Sequence, residues 1–153
     1  PAYGEQDLHG YLRALEEGLL MLVSECGVAC DRKPRYTGIW TADHQGKLAS
    51  LGVAVRRWVT SHGFALNVST ELSRFFAINP CGMQAQVMTS LQRLGAELDG
   101  QAVSVERLIE PCARAMGRAL GRRFRLCAVA ESGLAALVAE AELHPEPSQT
   151  PNG

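Results

Sequence analysis

Apolar residues in the first part of the chain recur at helical spacing. Leu8, Tyr11, Leu12, Leu15, Leu19, Leu22 and Val23 form one stripe, which predicts a helix from Asp7 to about Gly27. Asp7 fits an N-cap and Gly27 a C-cap. Gly18 sits inside that helix at a cost of about 1 kcal/mol against Ala, so it marks a candidate close helix contact. The polar stretch Asp31 to Arg35 predicts a solvated loop. From Gly38 the period changes to two. Gly38-Ile39-Trp40-Thr41 predicts a short strand, Asp43-His44-Gln45-Gly46 a turn, and Lys47 to Val55 a longer strand. Strict alternation puts Lys47, Ala49, Leu51, Val53 and Val55 on one face and Leu48, Ser50, Gly52 and Ala54 on the other. Val59 to Val68 reads as its antiparallel partner, interrupted near Ser61-His62-Gly63, with Arg56-Arg57-Trp58 as the connection. Gly52 and Gly63 inside strand patterns point to bulges or to close approach by another group.

Further along, Leu72 to Ile78 predicts a helical turn, Asn79-Pro80-Cys81-Gly82 a loop, and Thr89 to about Leu94 a short helix. Ser104 caps a stronger helix whose stripe is Val105, Leu108, Ile109, Cys112, Ala115, Met116 and Ala119. Pro111 inside that pattern predicts a kink or a late start. Phe124 to Val129 reads as a strand, Ser132 to Leu143 as a helix, and residues 144–153, with their prolines, as a frayed tail.

The chain has 153 residues, 15 Lys+Arg against 16 Asp+Glu and a formal net charge of −1, which fits one domain. Near-neutral charge argues against bulk nucleic-acid binding, which needs a basic surface to displace counterions. The longest apolar run, Gly18 to Val23, is far short of the roughly 20 residues that cross a bilayer. Neither nucleic acid nor membrane is expected as a partner. Five cysteines, an odd number, sit at 26, 30, 81, 112 and 127. Their apolar neighbours indicate packing sites in a reducing compartment, the cytoplasm or, in a eukaryote, the mitochondrial matrix. Cys26 and Cys30 have no second Cys/His pair at zinc spacing. Cys112 and Cys127 read as core fillers.

The candidate chemistry lies between Thr37 and Leu91. Cys81 stands between Pro80 and Gly82. Proline fixes the approach of the chain and glycine lets it turn away, leaving backbone N–H groups to meet an oxyanion. The thiolate is the nucleophilic form of cysteine, and a nearby cation favours it. Lys47, at the start of its strand, is the candidate cation; the alternative is a strand-end lysine with its head in water. Ser50, Gly52, Gly63 and Ala65 are small enough to let a ligand lie against backbone, or to allow tight strand packing. His62 is a candidate base, with a hydrogen-bonded structural role as the alternative, and His44 lies in a polar turn. There is neither a phosphate-binding Gly-x-x-x-x-Gly-Lys-Ser/Thr loop nor a Gly-x-Gly-x-x-Gly element.

Five motifs together resemble the lipoyl(octanoyl) transferase family. They are the Gly-Ile-Trp stretch, Gly46-Lys-Leu-Ala-Ser-Leu-Gly52, Thr60-Ser-His-Gly-Phe-Ala-Leu-Asn67, Pro80-Cys-Gly82 and Thr89-Ser-Leu91, in the family's order and approximate spacing. The resemblance implies an α/β (α+β) fold like that of biotin and lipoate protein ligases, a mixed sheet flanked by helices, over residues 1–143. It implies an octanoyl transferase with no cofactor. The acyl donor would be octanoyl-acyl carrier protein. The acceptors would be the lipoyl domains of 2-oxoacid dehydrogenases and the glycine cleavage H protein. By position, Cys81 matches the acyl-accepting cysteine and Lys47 the lysine that lowers its pKa. Ser50-Leu51-Gly52 and Gly63-Phe64-Ala65 match the segments that contact the acyl chain and its carbonyl. The family's earlier Arg-Gly-Gly and His-Gly-Pro-Gly-Gln blocks have no counterpart here. The chain, which starts at Pro1, is therefore expected to be the C-terminal part of a longer protein. Two rivals are an ATP-dependent lipoate or biotin ligase-like enzyme, which would not need Cys81, and an inactive fragment that only binds carrier proteins or lipoyl domains.

Overall fold

Asp7 begins the first helix as expected. Its side chain accepts the Gly10 N–H at 2.9 Å, and α1 runs over Leu8–Glu25, followed by Gly27 in the left-handed region. A computed structural model of the chain describes residues 7–77 and 87–124, with the side chains of 76 and 77 excepted. The expected loop Asn79–Gly82, the strand from Phe124 to Val129, the helix from Ser132 and the tail lie outside the described residues, apart from Phe124 itself.

Four antiparallel strands in the order β1-β2-β3-β4 form the sheet: β1 (Cys30–Arg32), β2 (Ile39–Thr41), β3 (Lys47–Arg56) and β4 (Val59–Leu66). β1 falls where the charges had indicated a solvated loop. Arg32 donates to Glu16 at 3.1 Å and to Glu17 at 2.7 Å, so α1 satisfies that guanidinium beside the ladder. One parallel bridge, Lys47↔Met88, adds the mixed character. β3 and β4 pair without a break from Ala49↔Leu66 to Arg56↔Val59, including directly opposed Gly52↔Gly63. The expected interruption near His62 is therefore absent, although His62 itself has φ 67. The hairpin turns at Arg57 (φ 50) and Trp58 (φ 64), both left-handed, the geometry whose twist matches the flanking strands.

After a short 3₁₀ helix over Leu72–Ala77, the chain resumes at residue 87. Residues 91–95 form turns rather than the expected helix, with the Leu94 N–H donating to the Ser90 carbonyl at 3.1 Å. A small hairpin, β5 (Glu97–Leu98) and β6 (Gln101–Ala102), closes on Asp99-Gly100. Helix α2 (Val105–Leu120) starts on Ser104, whose Oγ accepts the Arg107 N–H at 3.3 Å, and runs through the buried Pro111 without a late start. The two helices cover one face of the sheet. Their core joins Leu15, Leu19 and Leu22 of α1 and Leu108, Ala115 and Met116 of α2 to Ile39, Leu48 and Ala49. Gly18 is a close helix contact: a Cβ there would come within 2.7 Å of Met116 Cε. No helix among the described residues is long and apolar enough to cross a membrane.

Candidate active site

Strict alternation would turn Lys47 toward the helices with Ala49 and Leu51. The ladder does otherwise. Trp40 pairs with Lys47, but the preceding residue Ile39 pairs with Ala49, so Leu48 is one extra residue in β3. A bulge of this kind changes the phase of the side chains across it and re-aims them. Ile39, Leu48 and Ala49 enter the helix-side core. Lys47 accordingly shares the opposite face with its partner Trp40. Leu51 and Phe64 also pack on the helix side. By alternation Ser50, Gly52, Gly63 and Ala65 then share the Lys47 face. At Gly52 and Gly63 a Cβ would meet nothing within 4 Å among the described residues, which leave that face open above the glycine pair.

Lys47 is only 5% exposed. Its Nζ lies 5.6 Å from the Trp40 ring centroid, while Lys33 Nζ lies 4.3 Å from the same ring and donates to the His44 carbonyl at 2.9 Å. Tyr36 meets Trp40 edge-on, with centroids 5.6 Å apart. Lys33 and Lys47 are the only lysines of the chain, so both of its lysine side chains flank one indole. The Trp40 Nε1–H is buried without a hydrogen-bond partner among the described residues.

Gly38, at φ 123, lies under the lysine stem. A Cβ there would meet the Ala49 carbonyl oxygen and stand 3.0 Å from Lys47 Cε, so only glycine fits. The Gly38 N–H donates at 3.0 Å to Oε1 of Glu16, a carboxylate buried to 1% exposure. Arg13 and Arg32 donate to the other oxygen of that carboxylate at 2.6 and 3.1 Å.

The segment after residue 86 rejoins the sheet at Lys47: Met88 bridges it, and the Thr89 N–H donates to the Lys47 carbonyl at 3.0 Å. Cys81, a few residues upstream, lies outside the described residues, as does Cys127. The other three thiols are unsuited to attack. Burial pushes Cys30 up to about 11 and raises Cys26 and Cys112, with the Glu25 charge adding to the effect at Cys26.

On the helix side, an open groove of ≈ 1010 Å³ separates the β3–β4 hairpin from both helices. Ser50, Leu51, Gly52, His62, Gly63, Phe64 and Ala65 all border it, together with Tyr11, Cys112 and Met116. The structure thus brings the six expected acyl-contact residues into one hairpin segment, reachable from either face. Lys47 does not border the groove. His62 pairs with Val53, six positions along β3 from Lys47, or about 20 Å at ~3.3 Å per residue. The two are not neighbours. His44 sits at φ 58 in its turn, with its Nε2 buried and without a partner among the described residues. Sequence reasoning reaches Gly38 and Trp40 only through the Gly-Ile-Trp stretch, a strand and one of the five motifs, with no role of their own, and it does not reach Glu16. Among the described residues no cluster of three or more His, Cys, Asp or Glu is placed to hold a metal.

Residues 1–117 match the family model described as the lipoyl protein ligase A/B catalytic domain. An octanoyltransferase from Geotalea uraniireducens (strain Rf4) is 55% identical over 100 residues, covering 65% of this chain and 44% of the relative. Another, from Geobacter metallireducens (strain ATCC 53774 / DSM 7210 / GS-15), is 60% identical over 89 residues, covering 58% of this chain and 41% of the relative. The chain therefore spans under half the length of these curated relatives. A crystal structure of lipoate-protein ligase A bound with ATP aligns with a TM-score of 0.63 at 17% identity, over 90% of this chain and 56% of that one. At that identity the likeness is one of fold.

Proposed function

The chain belongs to the lipoyl protein ligase A/B catalytic-domain family, and on that footing we propose that it serves octanoyl transfer from acyl carrier protein to a lysine of lipoyl domains. The observation that carries this most directly is the bulge at Leu48. It supports the reading because it turns the one buried lysine onto the face where Gly52 and Gly63 leave backbone open. It does so beside the point where the segment following Cys81 rejoins the sheet.

In this mechanism the Cys81 thiolate attacks the carbonyl carbon of the octanoyl thioester. The tetrahedral oxyanion collapses, the C–S bond to the carrier breaks, and the leaving thiolate takes a proton from the Lys47 ammonium, so the carrier departs as a thiol. The amine of the lipoyl-domain lysine then attacks the new thioester, an amide forms, and Cys81 is released as the thiolate. Lys47 favours the thiolate as the ammonium and, as the neutral amine left by the first step, takes the proton lost by the incoming amine. Backbone N–H groups near Cys81 hold the oxyanion, an effect worth roughly 2.7–4 kcal/mol per donor in acyl transfer. The octanoyl tail lies along the Ser50-Leu51-Gly52 and Gly63-Phe64-Ala65 segments, each buried methylene contributing about 0.8 kcal/mol. A thioester is already activated, so this route needs neither a nucleotide nor a metal. The domain is taken as residues 1–143, with a cytoplasmic setting.

The test is intact and peptide mass spectrometry of the full chain after incubation with octanoyl-carrier protein or a small octanoyl thioester. One octanoyl group is expected on the Cys81 peptide, discharged by a lipoyl domain and absent in Cys81→Ala. An adduct that persists in Cys81→Ala refutes the nucleophile. Product formed only from free octanoate and ATP would establish the ligase chemistry instead.

A further inference from the structure

The two ion-pair partners of Glu16 do not account for its placement. Arg13 is 60% exposed and Arg32 31% exposed, so water can serve both guanidiniums. The buried group that depends on Glu16 is the Gly38 N–H, held by Oε1 at 3.0 Å. Gly38 in turn is the backbone on which the Lys47 stem rests: a Cβ there would stand 3.0 Å from Lys47 Cε. We propose that Glu16 is a positioning residue: by anchoring Gly38 it seats Lys47 against Trp40 on the open face of the sheet. The inference rests on the reading of Lys47 as the cation that favours the Cys81 thiolate, and it extends that reading to a carboxylate on the far side of the sheet.

Two substitutions separate seating from bulk stability. Glu16→Gln keeps an oxygen acceptor for Gly38. Glu16→Met keeps the volume and removes the acceptor, leaving the Gly38 N–H buried and unpaired at a cost in stability, so its spectrum is read under conditions where a urea transition shows the variant folded. With only two lysines in the chain, a ¹³Cε-lysine spectrum has two cross-peaks, and Lys33→Arg assigns them. The Trp40 ring shifts the Lys47 peak away from its free-lysine position. In Glu16→Met that peak is expected to move to the free position, and in Glu16→Gln to stay. Alkylation of Cys81 at neutral pH is expected to slow about tenfold in Glu16→Met, as in Lys47→Ala, which corresponds to about one unit of thiol pKa. Glu16→Gln is expected to alkylate at close to the parent rate.

A Lys47 peak unmoved in folded Glu16→Met overturns the seating. A Cys81 rate that falls equally in Glu16→Gln and Glu16→Met overturns it as well, since loss of charge alone would then suffice. A moved peak with Cys81 rates unchanged in both Glu16→Met and Lys47→Ala upholds the seating and overturns the catalytic reading of Lys47.

Discussion

Thiol reactivity is where the structure makes its most quantitative demand. Cys30, partly buried between α1 and the sheet, has its thiol pushed up to about 11. At pH 7 that leaves a thiolate fraction of about 1 in 10⁴, against a few per cent for an ordinary thiol near 8.5. The ratio is about 300 even if Cys81 has nothing beyond ordinary reactivity, and a cation beside Cys81 widens it. Cys26 adds near-complete burial to a raised pKa, at 1% exposure. Cys112 is raised by burial at the groove wall. The assay is a time course with iodoacetamide at pH 7, quenched and mapped by peptide mass spectrometry. Cys81 is expected to be modified at least two orders of magnitude faster than Cys30, and faster than Cys26 and Cys112. Cys30 labelling within a few-fold of Cys81 in the folded chain would refute the reasoning. Raising the pH through 10 should narrow the gap, because the buried thiols then begin to ionise.

Three other outcomes follow from particular contacts. The fold holds Cys30 protonated, so its contribution to stability is complete below about pH 9 and is lost as pH climbs toward 11; urea midpoints should fall over that window more steeply for the parent than for Cys30→Ser, and equal slopes would refute the assignment. Gly63→Val should leave stability within about 0.5 kcal/mol, since none of the described residues lies within 4 Å of the added Cβ, yet abolish the octanoyl adduct; an adduct at parental level would remove that face from the site. Gly18→Leu should lower stability by roughly 1–3 kcal/mol. The crowding against Met116 at 2.7 Å and Ala119 at 3.3 Å outweighs the ~1 kcal/mol gained by replacing a helical glycine, and a raised urea midpoint would show that the helices can part freely.

The helices were legible because their signals are local. Asp7 and Ser104 cap where their side chains can reach the first turn, and Gly18 is where a helix of this period meets a neighbour. The β3–β4 hairpin was legible from its alternation. What escaped was long-range. β1 reads as a charged loop until Glu16 and Glu17, fifteen or so residues earlier, take up Arg32. Asp99-Gly100 is a hairpin signal, but the hairpin pairs only two residues on each side, too few for alternation to mark its strands. The seat of Lys47 escaped altogether. Its side depends on how β2 aligns with β3, and no pattern within Lys47–Val55 records that alignment. The candidate residues themselves were legible by type and motif. Their grouping was legible along the hairpin, but not across the sheet.

The extra residue at Leu48 also makes the strand unequally tolerant of mutation. Substitutions along Lys47–Ala49 alter one side chain at a time. Loss of the Leu48 codon would leave regular pairing, with Lys47 still opposite Trp40 and Ala49 still opposite Ile39, and would take one aliphatic side chain out of the interior. Full-length pairing without the bulge is what would turn the lysine into the oily interior. The irregular step, more than the residue count, is what keeps the lysine outside.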